Sequence, residues 1–333
     1  MDAMHVNAYS PVRDQIVDRR RKLETAILTL GPRTELTRLL SEVDSALERL
    51  AHGTYGLCDV CHDPIESDRL LADPLARFCL DHLPPSEQRA LEQDLQLAAR
   101  VQQGLLPNPQ FSSAAWDVAY AYRPARIVSG DYCDLVAMNG DLFFMVGDVS
   151  GKGVAAATVM SQLHALVRAL LSAQLPLAQL VERTSRLLCE STLPTHYATL
   201  VCGRAAADGR VELCNAGHVP PLLVNGDSMR RLPPGGMPIG MFCAQQFDVQ
   251  QVNLAPGDML VLCTDGLTES EGGDMNVRDQ FGLDRLAHTI REYAAASSPA
   301  LVGACVHAVE SWRSFGRPED DLTLMILRRP PSA

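Results

Sequence analysis

Apolar positions follow two different periods along this chain, and the change of period divides it. Between Val12 and Leu30 they recur at helical spacing as Ile16, Leu23, Ile27 and Leu30, with the cationic run Arg19, Arg20, Arg21 and Lys22 between them. Leu36, Leu40, Val43, Leu47 and Leu50 then alternate spacings of four and three, the seam of a coiled coil. Gly31-Pro32 separates the two runs. The pattern predicts an antiparallel helical hairpin over residues 1–52, and a homodimer formed through these N-terminal helices would leave the same seam. A third run, Ser86 to about Leu105, places Leu91, Leu95, Ala98, Val101 and Leu105 on one face and stops at Pro107 and Pro109. It predicts a linker helix within residues 85–109.

Beyond Phe111 the period falls to two. Trp116 to Tyr122 alternates, and Asn139-Gly140, Asp208-Gly209 and Asn225-Gly226 carry hairpin-turn chemistry. Helical blocks interrupt the strands at Val154 to about Leu171, continuing to Glu190, and at Leu283 to about Trp312. Strands wrapped around paired helices predict a layered α+β domain over residues 110–330.

Composition adds limits. A chain of 333 residues exceeds one ordinary core, and 47% hydrophobic with 21% charged residues is the balance of a globular protein. A net charge of −11 argues against nucleic acid as a partner, since phosphate contacts demand concentrated Lys and Arg. No uninterrupted apolar run is long enough to span a bilayer and Met1–Pro11 carries no signal pattern, so the expectation is a cytoplasmic protein without a membrane partner. Ten cysteines in that compartment are expected as reduced thiols or metal ligands, not as a disulfide framework.

Their spacing names one site. Cys58 and Cys61, then seventeen residues, then Cys79 and His82 offer four soft donors for a tetrahedral Zn²⁺. With every position filled by protein the zinc is structural, and His62 has the wrong spacing to compete. The stretch Ala46-Leu47-Glu48-Arg49-Leu50-Ala51-His52-Gly53-Thr54-Tyr55-Gly56-Leu57-Cys58, with Ile65, Arg69-Leu70 and Pro74, resembles the DksA/TraR-type zinc finger, placed at residues 53–84. Members of that family act on RNA polymerase through a helical hairpin with acidic residues at its tip. Here the tip reads Gly31-Pro32-Arg33-Thr34-Glu35, without aspartate. Between Ala51 and Ala90 seven Asp or Glu stand against three Arg, which favours a protein contact or a folding staple over DNA.

The second chemical signal is a set of carboxylates at strand ends. Asp131 follows Ser129-Gly130, Asp148 closes an apolar run from Leu142, Asp265 closes Met259 to Cys263, and Asp320-Asp321 precede Leu322 to Leu327. Hard divalent cations take oxygen ligands of this kind, and two of them about 3.5–4 Å apart activate water against a phosphoryl group. Gly151-Lys152 invites comparison with a phosphate-binding P-loop, but Gly147 leaves only three residues before that pair and Gly153 follows it, so the motif fails.

Five ordered stretches then resemble one family. Ser129-Gly130-Asp131-Tyr132-Cys133-Asp134, Asp148-Val149-Ser150-Gly151-Lys152-Gly153, Asn215-Ala216-Gly217-His218, Thr264-Asp265-Gly266-Leu267-Thr268-Glu269 and Asp320-Asp321-Leu322-Thr323 are similar to the RsbU/SpoIIE-type serine phosphatases of the metal-dependent PPM class. The resemblance runs from about Ala99, through Gln102-Gln103-Gly104-Leu105-Leu106-Pro107, to Arg328. It implies an α-β-β-α sandwich with two Mn²⁺ or Mg²⁺ between its sheets. By position, Asp148 matches the carboxylate shared by both metals, Val149 a carbonyl ligand, Asp265 and Asp320 ligands of one metal, and Asp131 a ligand or the holder of a coordinated water. The implied reaction is hydrolysis of phosphoserine or phosphothreonine by direct attack of water, on an anti-sigma-factor antagonist in a partner-switching pathway. Ser129 replaces the usual first glycine, and Lys152 stands where many relatives have His. Lys152 and Arg126, with Arg123 nearby, are the candidates for phosphate contact. The competing expectation is a zinc-finger transcription regulator that acts on RNA polymerase by binding.

Overall fold

The computed structural model describes residues 10–31, 33–66, 69–70, 73–226, 228–272, 279–313 and 318–331. Pro32 of the hairpin tip lies outside them. The chain divides into two compact units, residues 1–93 and 94–333, and the division falls within one helix.

In the first unit the expected hairpin is present as α1 (Ser10–Leu30) and α2 (Thr34–His52). Ile16, Val43 and Ala46 are buried between them and share one cluster with Tyr55, Cys58, Ile65, Leu70, Ala76 and Cys79, so helices and finger have a common core. Much of the Arg19–Lys22 run is neutralised locally: Arg20 pairs with Glu24 and Asp44, and Arg21 and Lys22 pair with Asp18. Gly53 stops α2 in the left-handed conformation, with φ of 71°, where glycine carries no Cβ penalty. Helix α3 (Pro85–Leu105) contains the division between the units and ends short of Pro107.

The second unit is an α-β-β-α sandwich. One sheet has the order β1 (Gln110–Ser112), β2 (Asp117–Arg123), β13 (Leu322–Arg328), β10 (Met259–Cys263), β7 (Leu222–Asn225), β8 (Ser228–Arg231). The other runs β3 (Asp131–Met138), β4 (Asp141–Val149), β5 (Ala198–Ala205), β6 (Arg210–Ala216), β9 (Gln250–Asn253). Alternate residues of each, among them Phe144, Val146, Val201, Leu213, Leu260, Leu262, Met325 and Leu327, meet in the layer between the sheets. Outside the second sheet lie α4 (Val154–Leu171) and α5 (Leu177–Ser191), packed on Tyr132, Met145 and Cys202. Outside the first lie α7 (Gly282–Glu292) and α8 (Ser298–Trp312), packed on Val261, Leu324 and Ile326. A four-residue helix, α6 (Asp265–Thr268), and the short strands β11 (Glu271–Gly272) and β12 (Asp279–Gln280) complete the described elements.

The two helical blocks read from the sequence are each two helices. Pro176 forces an extended backbone between α4 and α5, and Tyr293–Ser297 breaks α7 from α8. Among the described residues α4 is the one helix long and apolar enough to cross a membrane, yet Ala156, Val159, Met160, Leu163, Val167 and Leu171 are buried in this fold. One expectation is corrected. Cys189 at the end of α5 and Cys243, in the segment between β8 and β9, form a disulfide with Cα atoms 5.3 Å apart. They lie 54 residues apart, and only the packing of that segment on α5, where Gly240 N–H donates to Ser185 Oγ at 3.1 Å, brings them together.

Candidate active site

The inner layer positions the carboxylates by strand parity. A strand sends alternate side chains to one face, so Asp148 shares the inner face of β4 with Phe144 and Val146, and Asp131 that of β3 with Cys133 and Leu135. The same parity carries Thr264 inward after Leu260 and Leu262, and Thr323 inward ahead of Met325. Asp131 and Asp148 are direct cross-strand partners. Asp131 is 1% exposed, and its Oδ2 accepts hydrogen bonds from Thr323 Oγ1 at 2.5 Å and Thr264 Oγ1 at 3.0 Å. Burial and then the neighbouring Asp148 push its pKa well above the ordinary value, while the two hydroxyls oppose the rise.

Asp148 is half-buried. Burial, then Asp265, Asp320 and Asp321, lift its pKa to about 7, with Lys152 the opposing charge. Asp265, at the start of α6, is raised by burial and by Asp320, against the stabilising backbone N–H of Gly266. Two glycines let these oxygens converge. A Cβ on Gly130 would stand 3.1 Å from the Val149 carbonyl oxygen and 3.4 Å from Asp148 Oδ1, and one on Gly266 would collide with the Asp321 carbonyl at 1.8 Å. Ser129 is buried and is absent from the positive-φ residues, so the glycine it replaces is not needed for its backbone freedom. Lys152 is half-exposed and does not reach into solvent alone: Nζ lies 3.0 Å from Asp320 Oδ2 and donates to the Glu319 carbonyl at 2.9 Å. Hard oxygen donors in excess over positive charge suit divalent cations of the Mg²⁺ and Mn²⁺ type.

Sequence reasoning missed two supporting residues. Asp321 accepts the N–H of Ala125 at 2.7 Å and of Gly130 at 2.9 Å, which pins the loop that presents exposed Arg126. Gln102, buried at the end of α3, clamps Ser129 from both sides: Nε2 donates to its carbonyl at 2.6 Å and Oε1 accepts its N–H at 3.0 Å. The Asp-Asp doublet and the Gln102–Pro107 stretch were visible in the sequence, but neither carries a sign of the backbone it holds. His164 is a packed residue on α4, 3.6 Å from Asp134, which Arg168 grips with two hydrogen bonds.

In the finger, Cys58, Cys61, Cys79 and His82 bring one donor atom each to within 4.8 Å of one another. Cys61 Sγ and Cys79 Sγ are 3.9 Å apart, close to the ~3.8 Å edge of a tetrahedron with Zn–S bonds of about 2.3 Å. Cys79 Sγ lies 3.2 Å from His82 Nδ1. Burial opposes ionisation of Cys58, but the N–H groups of Cys61, Cys79 and Val60 outweigh it and bring the thiol down to about 6. The backbone N–H of Asp63 favours the Cys61 thiolate, but burial and the neighbouring Cys58 and Cys79 sulfurs outweigh it and hold Cys61 up at about 11, so without a cation the crowded sulfurs do not all ionise together. No three carboxylates of the second unit close to this degree among the described residues. A pair of cations about 3.5–4 Å apart asks for a wider constellation.

Residues 138–330, more than half of the chain, match the family model of Stage II sporulation protein E. The chain belongs to the SpoIIE family. Its second unit is a serine/threonine phosphatase domain of that family, and residues 53–81 match the prokaryotic DksA/TraR C4-type zinc finger. Phosphoserine phosphatase RsbU of Bacillus subtilis is 27% identical over 249 residues, covering 73% of this chain and 72% of that protein. Protein IcfG of Synechocystis is 27% identical over 239 residues, covering 62% of this chain but 37% of its own length. Among solved structures, the SiaA PP2C domain of Pseudomonas aeruginosa covers 74% of this chain and 99% of its own, with a TM-score of 0.64 at 20% identity. The RsbU and RsbW domains of Rv1364c from Mycobacterium tuberculosis align at 30% identity and a TM-score of 0.57, over 68% of this chain and 64% of theirs. The SpoIIE fold thus accounts for the sandwich, and the finger is an addition to it.

Proposed function

We propose that this SpoIIE-family chain is a metal-dependent protein serine/threonine phosphatase whose substrate is a phosphorylated anti-sigma-factor antagonist in a bacterial partner-switching pathway. The observation that carries the chemistry is the convergence of Asp148, Asp265 and Asp320 with Lys152 as the opposing charge. In this reading Asp148, the Val149 carbonyl, Asp265 and Asp320 would hold two Mn²⁺ or Mg²⁺, with Asp148 serving both and Asp265 and Asp320 serving one. Bound there, the metals supply an activated water and neutralise charge on the phosphoryl oxygens. Asp131, with one oxygen tied to two threonines, would serve as a ligand or hold a coordinated water. Lys152 and Arg126 meet the substrate phosphate. The finger holds one structural Zn²⁺ and serves as a docking or sensory module, in a cytoplasmic protein able to pair through its N-terminal helices. RsbU's name as a phosphoserine phosphatase supports the substrate class. The binding-only reading, a regulator of RNA polymerase, draws on the finger, for which a DksA of Caulobacter vibrioides is 29% identical over 85 residues. The test compares Asp148→Ala and Asp265→Ala with the parent chain on a phosphoserine-bearing antagonist protein in Mn²⁺. Both variants should lose phosphate release, and turnover surviving in both would refute the assignment.

A further inference from the structure

A buried histidine below the carboxylates has no part in the hydrolysis proposed above. After β6 the chain turns on Asn215, whose Oδ1 accepts the His218 N–H at 2.8 Å and whose Nδ2 donates to the His218 carbonyl at 3.2 Å. Gly217 sits at φ of 70° inside this turn, and a Cβ there would meet Pro238 at 2.7 Å. The turn is therefore fixed, and it sends the imidazole inward until His218 is 4% exposed.

The ring has polar neighbours on both sheets. Nδ1 lies 2.8 Å from the hydroxyl of Thr199, which is the residue of β5 directly opposite Asp148. That hydroxyl also lies 3.4 Å from the Asp148 carbonyl oxygen, so it touches the carboxylate-bearing strand from below. Nε2 is buried without a hydrogen bond in strict geometry. The Cys263 backbone lies close enough to the ring to favour its protonation, and Cys263 ends β10 two residues before Asp265. Burial draws the pKa of the ring down to about 4, so it adds no positive charge beneath the carboxylates near neutral pH. A space-filling role alone would be met by an apolar ring without the cost of burying two polar nitrogens. A ring held between Thr199 of β5 and the end of β10 has a different use.

We infer that His218 is a positioning residue of the carboxylate site: its imidazole spaces Thr199, the cross-strand partner of Asp148, from the end of β10 that leads into Asp265, and so sets how well the two carboxylates share cations. The inference rests on the reading of those aspartates as metal ligands. It predicts that the ring acts on metal affinity through Thr199 on one side and the Cys263 backbone on the other, without touching the substrate.

The test measures Mn²⁺ binding to the zinc-replete full chain by titration calorimetry, for the parent, His218→Phe, His218→Gln, Thr199→Val and the Phe/Val double variant. Unfolding of each is followed in parallel. Removing a partner of this kind weakens metal binding by about tenfold. His218→Phe and Thr199→Val should each show that loss, the double variant less than the product of the two, and His218→Gln a partial recovery, since its amide reaches toward Cys263. Should His218→Phe fail to fold, Thr199→Val and His218→Gln carry the measurement. Parent-like Mn²⁺ affinity in folded His218 and Thr199 variants would overturn the inference and leave the metal-site reading intact. A parent chain that binds no Mn²⁺ would overturn both.

Discussion

Replacing Asp148 by Asn separates the electrostatic cost of the site from its use. In the folded chain burial and three neighbouring carboxylates raise Asp148 from 3.8 to about 7. A raised acid pKa means the folded state holds the proton more tightly than the unfolded chain. The contribution is fully present below pH 3.8 and is lost as pH rises through about 7. At 1.36 kcal/mol per unit, the charged carboxylate destabilises the metal-free fold by at most about 4 kcal/mol at pH 8. Asparagine keeps the shape and removes the charge. Metal-free Asp148→Asn should therefore be more stable than the parent at pH 8, by roughly 2–4 kcal/mol, and near parity at pH 4. Mn²⁺ at a thousandfold excess over Kd should cancel or reverse the order, because the parent then gains about 4.1 kcal/mol while a variant without the Asp148 carboxylate binds the cations more weakly. Urea denaturation followed by tryptophan fluorescence reads this directly, since both tryptophans, Trp116 and Trp312, lie in the phosphatase unit. An Asn variant no more stable than the parent at pH 8 without Mn²⁺ would refute the reasoning from like charges.

Other perturbations test separate parts of the account. Lys152→Met removes the cation paired with Asp320, so Mn²⁺ should bind a few-fold tighter, as suits an exposed pair worth about 0.2–1 kcal/mol, while inorganic phosphate inhibits more weakly; calorimetry and inhibition constants check the two effects. Gln102→Ala breaks both hydrogen bonds to Ser129 and leaves its buried backbone unpaired, at a cost of about 2–3 kcal/mol, with phosphate release falling alongside the urea midpoint. Cys243→Ser opens the 54-residue loop closed by the disulfide, and calorimetry of unfolding should show a loss of at most about 4 kcal/mol; peptide mapping without reductant should recover Cys189 and Cys243 as one linked species.

The layered α+β character was legible because its signals are local, while the sandwich itself was implied by the family resemblance. Turns such as Asn139-Gly140 and the alternation from Trp116 to Tyr122 follow from two-residue parity and backbone sterics alone. Pro176 was equally visible, but helical periodicity ran through it, and the break between α4 and α5 was read as continuous helix. The carboxylates at strand ends could be gathered into one set from the sequence, since each ends or begins an apolar run. What holds them could not. The clamp of Gln102 on Ser129 spans 27 residues, the grip of Thr323 on Asp131 spans 192, and no periodicity encodes contacts of that range. The Cys189–Cys243 disulfide escaped for the same reason: compartment reasoning set the expectation, and tertiary packing decided the pairing. Lys152 looked like a free phosphate contact until Asp320 was seen beside it.

The central claim is that these carboxylates make the chain a metal-dependent protein phosphatase. Its most direct test is phosphate release by the zinc-replete full chain from a phosphorylated anti-sigma-factor antagonist, measured with Mn²⁺ and after Mn²⁺ removal. The account predicts turnover that appears with Mn²⁺ and disappears on its removal. Release at the same rate without divalent metal, or none from any phosphorylated protein at saturating Mn²⁺, would contradict it.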